Sequence, residues 1–310
     1  MIGRSNAGGG GAKVTIDGVK VKDDLNLISS NIENFMLGGS SSGWSKNFTP
    51  VKLAVLNDGI YLYRSYRCLY KIEDGTSGTK PVLVNNDGST SNDVNVAYVN
   101  IVELNNEIHV IGGNDNAVHI KWNGNAWVTV STPPYIASGQ ACLVVLNGEI
   151  HLLGGGSYGT GNASKHYKWN GNAWTEVSTL PTGGLYDGCA VVLNNEIYIM
   201  QTDSDLKGMY KWNGSAWTKV STLPYNGQGS VCAEVLDGKI HLMGAYKSYE
   251  VAHYVWNGTS WEKITSLPTS SNYGDTVVYK GQINYVSSGG YSTQYAQHYI
   301  VGVQTYREKP

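Results

Sequence analysis

Trp122-Asn123-Gly124-Asn125-Ala126-Trp127 is the first of four copies of one phrase. It returns at Trp169 to Trp174, at Trp212 to Trp217 and as Trp256-Asn257-Gly258-Thr259-Ser260-Trp261, with first tryptophans 47, 43 and 44 residues apart. A period of that length marks stacked or radially arranged repeats, each too small to bury its apolar face alone. A second phrase runs in step with the first: an apolar strand, a tight Asn/Asp/Gly turn and another strand. Its copies are Leu56-Asn57-Asp58-Gly59-Ile60, Leu104-Asn105-Asn106-Glu107-Ile108, Leu146-Asn147-Gly148-Glu149-Ile150, Leu193-Asn194-Asn195-Glu196-Ile197, Leu236-Asp237-Gly238-Lys239-Ile240 and Tyr279-Lys280-Gly281-Gln282-Ile283. Those isoleucines lie 48, 42, 47, 43 and 43 residues apart, which makes six units.

Each unit reads as four strands. Asn-Gly between alternating strands is a strong hairpin signal. The β-branched enrichment agrees with it, as does proline at the end of a unit rather than inside it. Six four-stranded units predict an all-β, six-bladed propeller over residues 44–310.

The kelch-repeat β-propellers are the family these units resemble. Their repeat has a double glycine closing the second strand, an aromatic in the third and a tryptophan in the fourth. Gly112-Gly113 and Gly154-Gly155 match the double glycine, and Gly289-Gly290 lies near the equivalent place. Gly244-Ala245 matches half of it and Gln201-Thr202 departs from it. The resemblance covers about residues 44 to 306 and implies fold, with almost nothing on function. The sixth unit ends without a fourth strand, whereas Trp44-Ser45-Lys46-Asn47-Phe48-Thr49 looks like the fourth strand of a unit placed ahead of the first. An N-terminal strand over Trp44 to Thr49 is therefore expected to complete the last blade and close the ring.

Residues 1–43 stand outside the repeat, as a Gly-rich leader, a docking arm and a linker. Val14 to Val21 reads as two short strands around Asp17-Gly18. Asp23 to Leu37 has the apolar spacing of a short amphipathic helix, and Gly38 to Gly43 the composition of a linker.

Charged residues are 15% of the 310, against about 25% in ordinary soluble domains. A net charge of -2 without a basic cluster argues against nucleic acid. No run of about 18 apolar residues suggests membrane insertion, and the start lacks the apolar core of a secretory signal. Six of the seven histidines recur at two repeat positions, His109, His151 and His241 after the isoleucine and His119, His166 and His253 before the tryptophan; His298 takes the comparable place in the last unit. Tyr61, Tyr198, Asn284 and Met209 replace them elsewhere. Such positions are filled for shape and polarity, not for a metal, which needs ligands converging on one point. Cys142, Cys189 and Cys232 likewise share one position, where other units have Lys52, Asn100 and Asp275; they read as small apolar packing groups on the innermost strand. Some propellers are copper oxidases built on a cysteine-linked tyrosine and two histidines, and the repeat-bound histidines argue against that site here. No cofactor, metal or catalytic group is expected.

The tryptophans Trp122, Trp127, Trp169, Trp174, Trp212, Trp217, Trp256 and Trp261, with Trp44, are expected to pack the blades. Variation falls instead on the longer second-to-third and fourth-to-first connections, which share the face opposite the short turns. They carry Tyr135, Tyr158, Tyr186, Tyr225, Tyr246, Tyr249, Tyr273, Tyr291 and Tyr295 amid Ser, Gly and Asn. This is a recognition composition, rigid amphipathic rings among adaptable hydrogen-bonding groups; the alternative is that these tyrosines cap blades. The layout resembles phage tail-fibre, head-fibre and other virion attachment proteins. That resemblance implies a virion location, residues 1–37 docking on other virion proteins, and a head that meets a host cell-surface glycan or protein. Two further readings stand beside it: a cytosolic kelch protein-interaction scaffold and, more distantly, a carbohydrate-active enzyme.

Overall fold

In the computed structural model of the chain the described residues are 14–16, 19–21, 30–31, 52–64, 68–72, 82–85, 99–113, 116–137, 141–155, 164–181, 184–185, 188–202, 207–224, 231–244, 252–266, 274–287 and 297–301. Strands β1 (Val14–Ile16) and β2 (Val19–Val21) form the expected hairpin, with Val14 opposite Val21 and Ile16 opposite Val19. β3 (Ser30–Asn31) pairs with a strand at the far end of the chain.

The remaining strands make up the blades. Blade one holds β4 (Lys52–Leu56), β5 (Gly59–Arg64), β6 (Cys68–Ile72) and β7 (Val82–Asn85). Blade two holds β8 (Val99–Leu104), β9 (Glu107–Gly112), β10 (Val118–Trp122) and β11 (Trp127–Ser131). Blade three holds β12 (Cys142–Leu146), β13 (Glu149–Leu153), β14 (Lys165–Trp169) and β15 (Trp174–Thr179). In blade four come β16 (Cys189–Leu193), β17 (Glu196–Gln201), β18 (Gly208–Trp212) and β19 (Trp217–Ser221). Blade five has β20 (Val231–Leu236), β21 (Lys239–Gly244), β22 (Ala252–Trp256) and β23 (Trp261–Ser266). Blade six has β24 (Asp275–Tyr279), β25 (Gln282–Ser287) and β26 (Gln297–Val301).

Every blade is an antiparallel sheet of four strands. The first strands β4, β8, β12, β16, β20 and β24 touch one another in that order, and β24 touches β4. They are the innermost strands of a closed ring, and the protein is a six-bladed β-propeller.

The six repeat isoleucines show why the units pack this way. Ile60, Ile108, Ile150, Ile197, Ile240 and Ile283 are all at 0% exposure. Each such side chain contributes about 1.5–3 kcal/mol on burial. In blade three the turn before that strand has both central residues at positive φ, Asn147 (54°) and Gly148 (76°), and the turns of blades two, four, five and six do the same. The backbone twist of such a two-residue turn matches that of the flanking strands, which fixes the register and so puts the isoleucine inward.

The tryptophan phrase forms a longer loop than a two-residue hairpin. Trp122 pairs with Trp127 across four residues, and Asn123 Oδ1 accepts hydrogen bonds from the backbone of Asn125 and Ala126, both at 3.0 Å. Asn170, Asn213 and Asn257 do the same in the next three copies. The asparagine is thus selected for its side-chain oxygen, which closes the loop from within.

An N-terminal strand does fill the fourth place of blade six, but it is not Trp44 to Thr49. The strand is β3, with Asn31 opposite Gln297 and Ser30 opposite His298. It falls inside the stretch read as a helix from Asp23 to Leu37, so the edge of β26 prevails there over the apolar spacing. Trp44 lies outside the described residues. The seam of the ring is fastened on the inner side too. Asp275 on β24 accepts a hydrogen bond from the backbone N–H of Leu53 on β4 at 2.8 Å, and Val277 and Val286 pack on Leu53, Ile60 and Leu62.

Candidate functional site

Three features of the ring are candidates for a site: a relay across the outer strands of blades two and three, a ring of residues on the inner strands, and the loop face. The relay starts from a bulge. Between β10 and β11 the register slips after His119, so Val130 is passed over and Ser131 comes to lie opposite His119. The same slip recurs in blades one, three, four and five. Its effect is to re-aim a side chain that regular alternation would have turned away.

His109 pairs with Lys121, which puts His119 diagonally across from it on the same side of the sheet. His109 Nδ1 lies 2.9 Å from His119 Nε2, and His119 Nδ1 lies 2.8 Å from Ser131 Oγ. Trp174 of blade three donates its indole N–H to that oxygen at 3.1 Å. Blade three repeats the line: His151 to His166 at 2.8 Å, His166 to Ser178 at 3.0 Å, and Trp217 of blade four donating to Ser178 at 3.0 Å. His119 stands edge-on to Trp169 and Trp174 at 5.4 and 5.6 Å, and His166 to Trp212 and Trp217 at 5.5 and 5.7 Å. The histidine of one blade is thereby seated against the tryptophan pair of the next.

Where the sequence changes, the line breaks. Blade four has Tyr198 and Met209 at the two histidine places; Ser221 donates to the carbonyl of Thr222 instead, and Trp261 Nε1 is buried with no partner among the described residues. Blade one has Leu69 at the second histidine place, and Trp127 Nε1 is in the same position. Blade five keeps His241 and His253, 2.8 Å apart, but His253 Nδ1 has no partner among the described residues. Alanine at Ser131 or Ser178 should therefore take the acceptor from a half-buried indole N–H and lower stability by about 0.5–1.5 kcal/mol. Ser221→Ala should cost clearly less, because Trp261 does not use it. Urea unfolding of the three variants checks this, and equal losses would contradict the relay.

Burial holds all six histidines well below their ordinary value, His109, His151 and His241 at about 4 and His119, His166 and His253 at about 3. They are neutral at pH 7, so each pair joins a donor ring nitrogen to an acceptor one.

On the innermost strands Lys52, Asn100, Cys142, Cys189, Cys232 and Asp275 occupy one level, next to the loop face. Cys142 Sγ donates to the carbonyl of Gly188 at 3.3 Å, and Cys189 packs with Val231 and Ala233 of the following blade. Burial pushes the Cys142 thiol up to about 12 and raises those of Cys189 and Cys232 as well. These are protonated packing groups, since only a thiolate attacks or binds metal. Among the described residues no three His, Cys, Asp or Glu side chains are placed to hold a metal ion. Glu234, two residues beyond Cys232, has no counterpart in the repeat that would single it out from sequence. Burial, and then the charge of Asp275 on the neighbouring blade, push its carboxyl up to about 8.

The tryptophans of the phrase are blade-packing residues. Trp122, Trp169, Trp212 and Trp256 are buried, each 5.4–5.6 Å from the partner at the other end of its loop. Tyr135 proves to be a packing residue as well, not a member of an open surface: its ring lies against Tyr167 and its hydroxyl donates to the carbonyl of Gly154 at 2.5 Å. Its neighbour Ile136, an apolar residue without a repeat signal, is 37% exposed at the same end of the blade. Tyr158, Tyr186, Tyr225, Tyr246, Tyr249, Tyr273, Tyr291 and Tyr295 lie outside the described residues. The described end of β13 and start of β14, and likewise the end of β15 and start of β16, lie at the end of the blade opposite the tryptophan loops.

Fold and site together define the class, a six-bladed β-propeller in which His–His–Ser–Trp lines cross the seams between blades two and three and between blades three and four. No family model matches the chain, and no curated protein matches it. Among solved structures it is similar to one described as the structure of YjhT, with a TM-score of 0.68 over 83% of this chain and 95% of the other, at 14% identity. A likeness at that identity carries the fold alone.

Proposed function

We propose that the protein is a non-enzymatic, kelch-type attachment head of a phage-like virion. Residues 1–37 dock on other virion proteins, and the loop face binds a host cell-surface glycan or protein. The observation that carries this reading is the division of labour between the two faces. On the tryptophan side the same loop is built four times, closed by the same asparagine. The opposite face is served by connections of unequal length, rich in Tyr, Ser, Gly and Asn, and loops on a rigid scaffold are where recognition is commonly placed. Binding through one head is weak in this reading, and many copies on a particle supply avidity.

The experiment is binding of fluorescently labelled full-length protein to intact bacterial cells, before and after periodate or protease treatment. Saturable binding that one treatment abolishes supports the reading and separates glycan from protein. A protein that binds no cells and copurifies with a single cytosolic partner would favour the scaffold reading instead.

A further inference from the structure

We propose that the His–His–Ser–Trp lines between blades two and three and between blades three and four act as an acid-released clasp, which opens those two seams before the seams between blades one and two and between blades four and five. Both lines cross from one blade to the next and end on a half-buried indole, Trp174 in one case and Trp217 in the other. Each depends on contact between two neutral imidazoles, 2.9 Å apart in blade two and 2.8 Å apart in blade three. A doubly protonated pair would set two N–H groups against one another. Even a single added proton puts a charge on His119 or His166, both at 0% exposure, or on the buried partner of each.

Little nearby holds such a charge. The charged groups acting on His109 are Glu107, which favours the proton, and Lys121, which opposes it; Lys121 is itself paired with Glu107 at 2.8 Å. His119 meets only His109 and Lys121, both opposing. Blade three has the same set, with Glu149 and Lys168 acting on His151, and His151 and Lys168 acting on His166. From β11 and β15 the facing groups are Ser131 and Ser178, and from the following blades Trp169, Trp174, Trp212 and Trp217, none of which titrates in this range. The seams from blade one to two and from four to five place Leu69 and Met209 where these histidines stand, so they carry no such group. Blade five keeps the pair His241 and His253, but the line stops there, since His253 Nδ1 has no partner among the described residues.

The sign follows from linkage. Folded values of about 4 and 3 lie below the unfolded value of about 6.5, so the stabilising effect is complete above pH 6.5 and is lost as pH falls through about 4 toward about 3. Loss confined to particular seams gives local opening ahead of global unfolding.

The test follows tryptophan emission and backbone hydrogen exchange of the full chain from pH 7.5 to 3.5, with exchange corrected for its intrinsic pH dependence. The expected result is a red shift with a midpoint between about pH 4 and 6, with exchange rising first in β11 and β15. His119→Met with His166→Met, the side chain that blade four carries naturally as Met209, should move that midpoint down by about one pH unit or more. Exchange in the unmodified chain serves if the double variant does not fold. An unshifted midpoint, or first opening in β7 and β19, would overturn the proposal.

Discussion

Replacing Trp212 with alanine is expected to lower the unfolding free energy by about 3–5 kcal/mol. The side chain is 4% exposed, tilted against Trp217 at 5.5 Å and met edge-on by His166 of the preceding blade. Its removal opens a cavity between two blades that neither sheet can close, since the strands on both sides are tied into their own ladders. The glycine of the same phrase should matter far less. Gly214 sits at φ 99° with nothing within 4 Å of where a Cβ would stand, so Gly214→Ala costs only backbone strain, about 1 kcal/mol. Urea midpoints with an unchanged slope separate the two. Similar losses for both would mean that the phrase is selected for its turn and not for its packing.

Removing residues 1–43 is expected to weaken the closure of the ring, whereas removing residues 1–29 is expected to leave it intact. The longer deletion takes β3 away from β26 and with it the pairings of Ser30 and Asn31. About one or two backbone hydrogen bonds are lost, roughly 1–3 kcal/mol. The larger consequence is kinetic and colloidal, because an unpaired strand at the rim of a sheet is a template for a second chain. Light scattering and thermal unfolding of the two truncations decide the point. If the longer truncation matched the full chain in both, a strand after residue 43 would be filling the fourth place, as the Trp44 to Thr49 phrase suggests.

That contrast shows where the sequence is informative. The blades are legible because each is specified locally: a two-residue turn, alternating strands and an isoleucine that must face inward, restated six times. Even the innermost position of the cysteines can be read, because a place shared by Cys, Lys, Asn and Asp is set by the repeat and not by chemistry. The latch is not legible. Ser30 and Asn31 are too few to show any alternation, and their partner strand lies at the far end of the chain. The stretch around them carries apolar residues at helical spacing, and only the open edge of β26 distinguishes the two outcomes.

The relay stands between these cases. Its histidines are recognisable as repeat positions, yet their pairing is not evident from either position alone. The signal lies in the way the positions change together: His109 comes with His119 and His151 with His166, whereas Tyr198 comes with Met209. What cannot be read is the bulge that turns Ser131 and Ser178 onto the histidine side, since one passed-over valine leaves no mark on the pattern. Tyr135 misleads for a related reason. In composition it matches the loop tyrosines, but the carbonyl of Gly154 and the ring of Tyr167 draw it inward.

The central claim is that the tryptophan face is scaffold and the opposite face is where recognition occurs. Its most direct test compares two triple variants of the full chain in binding to intact bacterial cells. One carries Tyr158→Ala, Tyr249→Ala and Tyr291→Ala; the other carries Asn125→Glu, Asn172→Glu and Ser215→Glu on the exposed tryptophan loops. With both variants folded, we predict that binding falls at least about tenfold in the first, a loss of about 1.4 kcal/mol, and is unchanged in the second. Binding kept by the first and lost by the second would contradict the assignment of the faces.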